Sequence, residues 1–329
     1  MKKLLSVALS LLMLISVFAF ASCNNTPETL KFGMGVYTAA PTVTDADADT
    51  DGQGKVAITA AAITVDANGK VVSCDLDTAD ITVKYTADGK AVANDSFKTK
   101  REQGDDYGMV AYQASDKEWY TQADAFETVV KGKTLAEIKA LVADGNKGTD
   151  EVVNAGCTIM IHEFVKAIEK AFANLADSTA TADSAIKVGT AIEQTCKDAD
   201  EDVTGQNQVD VTFVAAATDA AGKVLAAASD CVRVTFTFDE AGASTFDTTK
   251  AIASKREAGT KYGMVEYGGA AKEWFEQADA FNAACVGKTA TEINALLATN
   301  GKGVEALQTA GCTIYVTGLV KAANKAATK

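Results

Sequence analysis

The chain contains an internal duplication. Residues 100–159 align without a gap on residues 255–314, and about half of the aligned positions are identical. The identical residues gather in blocks: Lys-Arg-Glu, Tyr-Gly-Met-Val, Lys-Glu-Trp, Gln-Ala-Asp-Ala-Phe, Gly-Lys-Thr and Ala-Gly-Cys-Thr-Ile. Such self-similarity at a fixed offset indicates two copies of one structural unit. Any function assigned to one copy must therefore be tested against the other.

The N-terminus predicts export and lipid anchoring. Residues 1–22 have the pattern of a signal peptide, because two lysines precede an apolar run and small residues follow it. Cys23 comes directly after Phe-Ala-Ser, which resembles the bacterial lipobox, in which the cysteine carries diacylglycerol. We therefore expect a protein anchored at the cell surface, on the outer face of the cytoplasmic membrane, with residues 23–30 as a tether. The alternative is an ordinary cleaved signal with an incidental cysteine.

Charge and residue counts exclude several function classes. The formal net charge of −13 argues against nucleic acid as a partner, since phosphates require a basic surface. The single histidine, His162, has no counterpart in the second copy, so a histidine-dependent triad or metal site could exist in one copy at most. Of the cysteines, only Cys157 and Cys312 occupy matching positions, which favours free or buried thiols over a disulfide framework.

The first part of each copy is predicted to be an antiparallel meander. Apolar segments with β-strand character flank Asp-Ala-Asn-Gly in the first copy and Asp-Ala-Ala-Gly in the second, and Asn-Gly is a strong hairpin signal. The predicted strands are 56–65, 71–76 and 81–85, and then 209–218, 224–227 and 232–238.

The second part of each copy is predicted to be helical. Apolar residues recur at three- and four-residue spacing over 117–130, and Thr134 and Thr289 each begin a Thr-x-x-Glu capping box. The last helices are predicted over 163–175 and 318–327. Strands followed by helices imply an α+β fold, with domains over 31–173 and 186–329 and a linker over 174–185.

Two further patterns have weaker interpretations. Alternating aspartates at 45–51 and 198–202 resemble the opening of a calcium loop, but Ile58 stands where an EF-hand needs a glutamate. A solvated acidic loop is the favoured interpretation. The repeated aromatic residues, among them Trp119 and Trp274, fit a plain core better than a cofactor pocket.

The order of the blocks resembles a known family. Strands around an Asp-x-x-Gly-Lys turn, then Tyr-Gly-Met, a Lys-Glu-Trp helix and a closing Gly-x-Thr, are similar to bacterial lipoproteins with FMN-binding domains. That family includes flavin subunits of membrane redox complexes and surface lipoproteins of extracellular electron transfer. Its Ser-Gly-Ala-Thr motif carries FMN through a phosphoester to the threonine hydroxyl.

The resemblance implies specific cofactor-binding residues. Thr158 and Thr313 fall where the flavin-carrying threonine would be, and Gly156 and Gly311 fall where the backbone would approach the phosphate. The motif departs from the family pattern, because alanine replaces its serine and cysteine replaces its alanine in both copies. Covalent attachment therefore stays open beside noncovalent FMN.

Two hypotheses follow. The first is a surface lipoprotein with two FMN-binding domains that carries electrons from a membrane dehydrogenase to an extracellular acceptor. The second is a cofactor-free lipoprotein of the same fold that binds a ligand or a surface partner. No catalytic constellation is evident, so a carrier or binding protein is favoured over an enzyme.

Overall fold

The computed structural model describes residues 28–94 and 96–328. Both the predicted signal peptide and Cys23 lie outside these residues. The described strands are β1 (Lys31–Thr38), β2 (Thr42–Thr44), β3 (Gly52–Val65), β4 (Val71–Tyr85), β5 (Ala91–Val92), β6 (Ala176–Asp177), β7 (Ala185–Lys197), β8 (Gly205–Thr218) and β9 (Val224–Phe238). The described α-helices are α1 (Lys100–Gln103), α2 (Trp119–Val130), α3 (Leu135–Lys139), α4 (Asp150–Ala155), α5 (His162–Ala173), α6 (Lys255–Ala258), α7 (Trp274–Cys285), α8 (Ala290–Asn294), α9 (Glu305–Thr309) and α10 (Thr317–Ala327).

The strands form two antiparallel sheets, one in each repeat. The first has the order β5-β4-β3-β1-β6, with β2 also paired to β3, and the second has the order β7-β8-β9. The predicted α+β class is confirmed. Both predicted hairpin turns are present, and Gly69 (φ 75°) and Gly222 (φ 79°) supply the positive φ that they need.

The strand boundaries differ from the prediction in two ways. The segments 71–76 and 81–85 belong to the single strand β4, and 224–227 and 232–238 belong to β9; β1 and β7 were not predicted. In β4 the apolar pattern is interrupted by Asp77, which is buried. Its Oδ1 accepts hydrogen bonds from the N–H groups of Thr78 (2.8 Å) and Arg101 (3.3 Å). Because its carboxylate is satisfied by neighbours, the strand continues through it.

The helix boundaries agree with the prediction more closely than the strand boundaries do. The predictions over 117–130, 163–175 and 318–327 correspond to α2, α5 and α10, with ends that differ by one or two residues. Thr134 forms the predicted capping box with Glu137, and Thr289 forms it with Glu292. No helix among the described residues is long and apolar enough to cross a membrane.

The two sheets pack face to face, and each carries its helices on the outer face. Alternate residues of β3 show this: Ile58 and Ala60 lie in a core shared with residues of β8 and β9, whereas Ala61 and Ile63 pack against the helices of the first repeat. Residues 174–185, predicted as a linker, also contribute to this arrangement. They form β6 on the edge of the first sheet and bury Ala180 in the shared core.

Close contact between helix and sheet requires glycine in the inner strands. A Cβ at Gly35 of β1 would lie 2.3 Å from the carbonyl oxygen of Ala167 in α5. A Cβ at Gly189 of β7 would lie 2.1 Å from the carbonyl oxygen of Ala322 in α10. These distances are too short for a side chain, so glycine lets α5 and α10 rest on the sheets. The first turns of these helices then form a wall of the candidate sites.

Candidate functional site

The two threonines of the Gly-Cys-Thr block have the same geometry. Thr158 and Thr313 lie in the loops that follow α4 and α9, and both are exposed. The hydroxyl of Thr158 donates to Oε1 of Gln122 at 2.9 Å, and its backbone N–H donates to the same oxygen at 2.8 Å. The corresponding distances from Thr313 to Gln277 are 3.0 and 2.8 Å. One glutamine oxygen therefore holds each threonine by two hydrogen bonds.

These glutamines are buried in the helices behind the loops. Gln122 in α2 is 0% exposed and Gln277 in α7 is 1% exposed. Their Nε2 groups donate to the carbonyl oxygens of Lys117 (3.1 Å) and Lys272 (3.0 Å). Neither glutamine was predicted to have this role, although both belong to the repeated Gln-Ala-Asp-Ala-Phe block. The available sequence signal was the repeat itself, because a glutamine lies 36 residues before the threonine in both copies.

The glycines two residues before each threonine end helices and lie beside an ammonium group. Gly156 (φ 106°) and Gly311 (φ 104°) have positive φ, and the N–H of Gly156 caps the end of α4. A Cβ at either glycine would lie 2.3 Å from the Nζ atom of Lys117 or Lys272. Among the described residues, neither lysine forms an ion pair. A positive charge is thus placed next to each glycine turn.

A buried glutamate clamps the Tyr-Gly-Met-Val turn in each repeat. The carboxylate of Glu118, the residue before Trp119, accepts hydrogen bonds from the backbone N–H groups of Met109 (2.9 Å) and Val110 (3.0 Å). Glu273 makes the equivalent bonds in the second repeat, at 3.0 and 3.2 Å. The Lys-Glu-Trp block therefore fixes the position of the turn that carries the aromatic wall of the site.

A lysine from the Lys-Arg-Glu block lies among the aromatic rings. In the first repeat, Nζ of Lys100 is 5.1 Å from the ring centre of Tyr107 and 5.7 Å from that of Trp119, and it pairs with Asp80 at 3.1 Å. Burial alone would lower the pKa of Lys100, but the charge of Asp80 and the hydroxyl of Tyr107 outweigh it and hold the pKa above its usual value. Lys100 therefore stays cationic at neutral pH.

The second repeat keeps the lysine but takes its acid from the neighbouring strand. Lys255 lies 5.6 Å from the ring centre of Tyr262 and pairs with Asp210 of β8 at 3.0 Å. In the first sheet the cross-strand pair is Ala57 and Asp80, and in the second it is Asp210 and Arg233. The acid thus lies on β4 in the first repeat and on β8 in the second, and the second repeat has Arg233 as an additional positive charge. The second site is therefore the more basic of the two.

The exposed threonines open onto clefts of different shape. The first cleft has a volume of about 640 Å³, and its lining includes Thr158, Tyr107 and Met160. In the second repeat the corresponding space is divided into cavities of about 370 and 300 Å³. Tyr315, which replaces Met160, lines both of these cavities and is 72% exposed.

The other candidate residues have more ordinary positions. Cys157 and Cys312 are buried free thiols, and burial raises the pKa of each thiol to about 11. These thiols stay protonated at neutral pH. Trp119 is buried, but it also lines the first cleft. His162, expected to be solvated, lines this cleft too, and its Nδ1 has no hydrogen-bond partner among the described residues.

The acidic loop over 45–51 is organised locally. Oδ1 of Asp47 accepts hydrogen bonds from the N–H groups of Asp49 (2.9 Å) and Thr50 (2.8 Å). Within the described ranges, no cluster of three or more histidine, cysteine or carboxylate side chains is arranged to hold a metal ion.

Comparison with known proteins gives one partial similarity. The chain is 35% identical over 95 residues to a chlorophenol reductase of Desulfitobacterium hafniense, and the match covers 25% of this chain and 29% of that protein. The matched region thus spans less than a third of the relative's length. No family model matches the chain. No solved structure matches it.

Proposed function

We propose that the protein is an exported, lipid-anchored electron carrier in which each repeat holds flavin mononucleotide, with the flavin phosphate at Thr158 or Thr313. The observation that carries the proposal is the repeated combination of an exposed threonine hydroxyl, a buried glutamine that orients it, and a lysine ammonium at the adjoining glycine turn. Two copies with this geometry would give one chain two redox centres.

The residues around each threonine fit a phosphate. The hydroxyl of Thr158 donates to Oε1 of Gln122, which is placed to take its proton. The Oγ1–P bond would form by transfer of the FMN phosphate from a flavin dinucleotide, whose diphosphate bond breaks and whose nucleoside monophosphate leaves. Lys117 would offset the phosphate charge, and Gly156 leaves the approach free of a side chain. The first turn of α5, which lines the same cleft, adds the partial positive charge of a helix N-terminus.

The first cleft also fits a flat aromatic ring. Its volume of about 640 Å³ lies within the ~300–1,000 Å³ typical of small-molecule sites. Tyr107 and Trp119 supply aromatic walls, and Lys100 places a positive charge beside them. A bound flavin would supply reversible electron transfer, while these side chains position the ring and limit its contact with water. Tyr112, 83% exposed at the rim, is available to cover the ring.

The proposed partners follow from the location. A lipid on Cys23 would hold the protein at the outer face of the cytoplasmic membrane, between a membrane dehydrogenase as donor and an extracellular acceptor. The anchor has its own test: Cys23→Ala should move the protein from the membrane fraction to the soluble exported fraction. Wild-type protein whose Cys23 carries no diacylglycerol by mass spectrometry would exclude lipidation at Cys23.

A cofactor-free binding protein is the second candidate, and one observation favours it. The bonds from Thr158 to Gln122 and the helix-capping role of Gly156 explain the repeated block by local structure alone. Under this candidate, the basic aromatic clefts take an anionic ligand from solution. The protein would then be colourless when purified from its own host.

The visible spectrum before and after acid precipitation tests the first proposal. The full chain, made in its native host, should keep flavin absorbance in the precipitate if the bond is covalent and release it if binding is noncovalent. Thr158→Ala and Thr313→Ala should each remove one covalent flavin, and the double variant should remove both. Thr128→Ala and Thr309→Ala, at exposed helical threonines, are the matched controls.

Two results would contradict the proposal. Unchanged covalent flavin in the double variant would exclude both threonines as attachment sites. Wild-type protein without any flavin, from a host shown to load other flavoproteins, would exclude the electron carrier and leave the binding protein.

A further inference from the structure

A separate cavity of about 460 Å³ lies where the two repeats meet. Its walls come from β1 and β6 of the first repeat and from β9 and α7 of the second. It shares no lining residue with the clefts that contain Thr158 and Thr313. We call it the seam cavity and define it by Asp177, Ser229, Arg256, Asp279 and Asn282.

The equivalent place in the first repeat is filled by its own carboxylates. Arg101 there forms ion pairs with Asp124 and Glu127, both at 2.7 Å. Oε1 of Glu127 also accepts the N–H of Leu76 at 2.8 Å. Asp75, on the same strand, adds a further negative charge near Arg101. In this repeat the arginine is surrounded by acidic side chains.

The second repeat keeps the arginine and loses two of these carboxylates. Sequence alignment places Asn282 at the position of Glu127, and the strand pairings place Ala228 at the position of Asp75. Arg256 retains the ion pair with Asp279 at 2.8 Å and donates to the carbonyl oxygen of Ser229 at 3.0 Å. These two bonds use two of its five N–H donors. The seam cavity occupies the space that the lost side chains would fill.

Two buried polar atoms point to a missing partner. Oγ of Ser229 and Oδ1 of Asn282 have no hydrogen-bond partner among the described residues. Ser229 is 0% exposed and Asn282 is 7% exposed, and both line the seam cavity. A buried polar group without a partner is unfavourable, because it has lost its hydrogen bonds to water. A ligand with a hydrogen-bond donor would remove this cost.

We propose that the seam cavity binds a small amino acid with an apolar side chain. Its carboxylate takes the place of the Glu127 carboxylate and pairs with Arg256. Its ammonium donates to Oδ1 of Asn282 and faces the negative charges of Asp177 and Asp279. The two acids and one arginine leave the cavity with a formal charge of −1, which favours a ligand with an ammonium group over a simple anion.

The remaining walls suit an apolar side chain. The apolar part of the lining includes Phe32 and Met34 of β1, Leu225 of β9 and Val286 at the end of α7. The volume, about 460 Å³, is within the range of small-molecule sites. A leucine-sized ligand would have its charged end at Arg256 and its hydrocarbon end against these residues.

Thermal shift and calorimetric titration of the full chain with L-leucine test the proposal. We expect saturable binding, at least tenfold weaker with 4-methylpentanoate, which lacks the ammonium, and with 3-methylbutylamine, which lacks the carboxylate. Binding of 4-methylpentanoate as tight as that of leucine would overturn the amino-acid assignment. A dissociation constant above about 10 mM for every standard amino acid would mean that the cavity holds only water.

Two variants connect the binding to the cavity. Asn282→Glu restores the residue of the first repeat, so its carboxylate should pair with Arg256 and abolish leucine binding. Ala283→Leu, at an exposed helical position on the cavity rim, should block entry without changing the buried network. Asn294→Glu adds the same charge at an exposed site outside the cavity and should bind as the wild type does. Leucine binding that survives both cavity variants would place it elsewhere.

Discussion

The two repeats agree at the threonine and differ at the mouth of the cleft. The hydrogen bonds from Thr158 to Gln122 match those from Thr313 to Gln277 within 0.1 Å. At the mouth, Met160 is replaced by Tyr315, and one cleft becomes two smaller cavities. Local hydrogen bonds have thus kept the loop geometry, while the exposed positions that face a ligand have diverged.

This difference suggests unequal roles for the two sites. The first cleft is one space of about 640 Å³ beside Thr158, whereas the cavity beside Thr313 is about 370 Å³ and includes Arg233 in its lining. If both sites carry flavin, their ring environments differ in polarity and exposure. Two centres of unequal environment would have unequal affinities and potentials.

The largest expected effect concerns the feature that the repeats share. Gln122→Leu should lower the free energy of unfolding by about 2–3 kcal/mol and Gln277→Leu by about 1–2 kcal/mol, because each leaves buried backbone groups unpaired. The larger value is for Gln122, which also donates to Oγ of Ser115 at 3.0 Å. Urea unfolding measures both, with Asn294→Leu at an exposed helical site as the control. Losses below about 0.5 kcal/mol in both variants would mean that the glutamines do not hold the loops.

The next effect is a pH dependence of the free energy of unfolding, caused by a buried acid in each sheet. Burial raises the pKa of Asp77 from 3.8 to about 7. Because the folded state binds this proton more tightly than the unfolded state, the stabilisation is present at low pH and is lost as the pH rises through about 7. As the pH rises from 3.8 to about 7, the free energy of unfolding should fall by up to about 1.4 kcal/mol per pH unit.

The second repeat contains an equivalent buried acid. Burial also raises the pKa of Asp230, the equivalent residue of β9. Asp77→Asn and Asp230→Asn should each flatten the dependence of unfolding free energy on pH, whereas the exposed Asp116→Asn should leave it unchanged. Equal slopes in wild type and both buried variants would show that other groups control the pH response.

A reciprocal exchange tests the difference at the mouth. Met160→Tyr should narrow the first cleft and lower the flavin affinity of the first repeat about tenfold. Tyr315→Met should open the second site and raise the flavin affinity of the second repeat about tenfold. Each change corresponds to ~1.4 kcal/mol of binding free energy. Flavin per repeat can be measured by fluorescence of proteolytic fragments. Tyr267→Met, at an exposed tyrosine outside both cavities, is the control. An unchanged distribution would show that these residues do not control access.

The smallest effect concerns the ammonium groups at the glycine turns. Lys117→Gln and Lys272→Gln should each weaken FMN binding to the flavin-free protein by about threefold at low salt, and the difference should shrink at high salt because exposed charges are screened. Lys131→Gln, at an exposed position, controls for net charge. A loss that does not depend on salt would exclude an electrostatic role.

Local signals predicted part of the fold well and part of it poorly. The capping boxes at Thr134 and Thr289 were confirmed, because a cap is a contact among neighbouring residues. The continuity of β4 was missed, because Asp77 is stabilised by Arg101, a residue distant in sequence. The strand β1 was missed for a similar reason: its Gly35 is explained only by contact with α5.

The candidate site was also predicted from the sequence only in part. The repeated block located Thr158 and Thr313, and the structure places both at exposed, equivalent positions. The role of Gln122 required knowledge that α2 packs behind the loop. The division of the second cleft by Tyr315 and the seam cavity also depend on which elements face each other, so neither has a local sequence signature.

The sequence by itself determined the duplication, because two distant stretches can be compared residue by residue without a structure. It also determined the α+β class, the hairpin turns and the helix starts, because these depend on residues that are close along the chain. The tertiary structure decided how the two sheets share one core, which side chains meet at Thr158 and Thr313, and where the first repeat fills space that the second leaves open. These features arise from packing between distant segments, so that the seam cavity lies where Asn282 and Ala228 stand in place of Glu127 and Asp75.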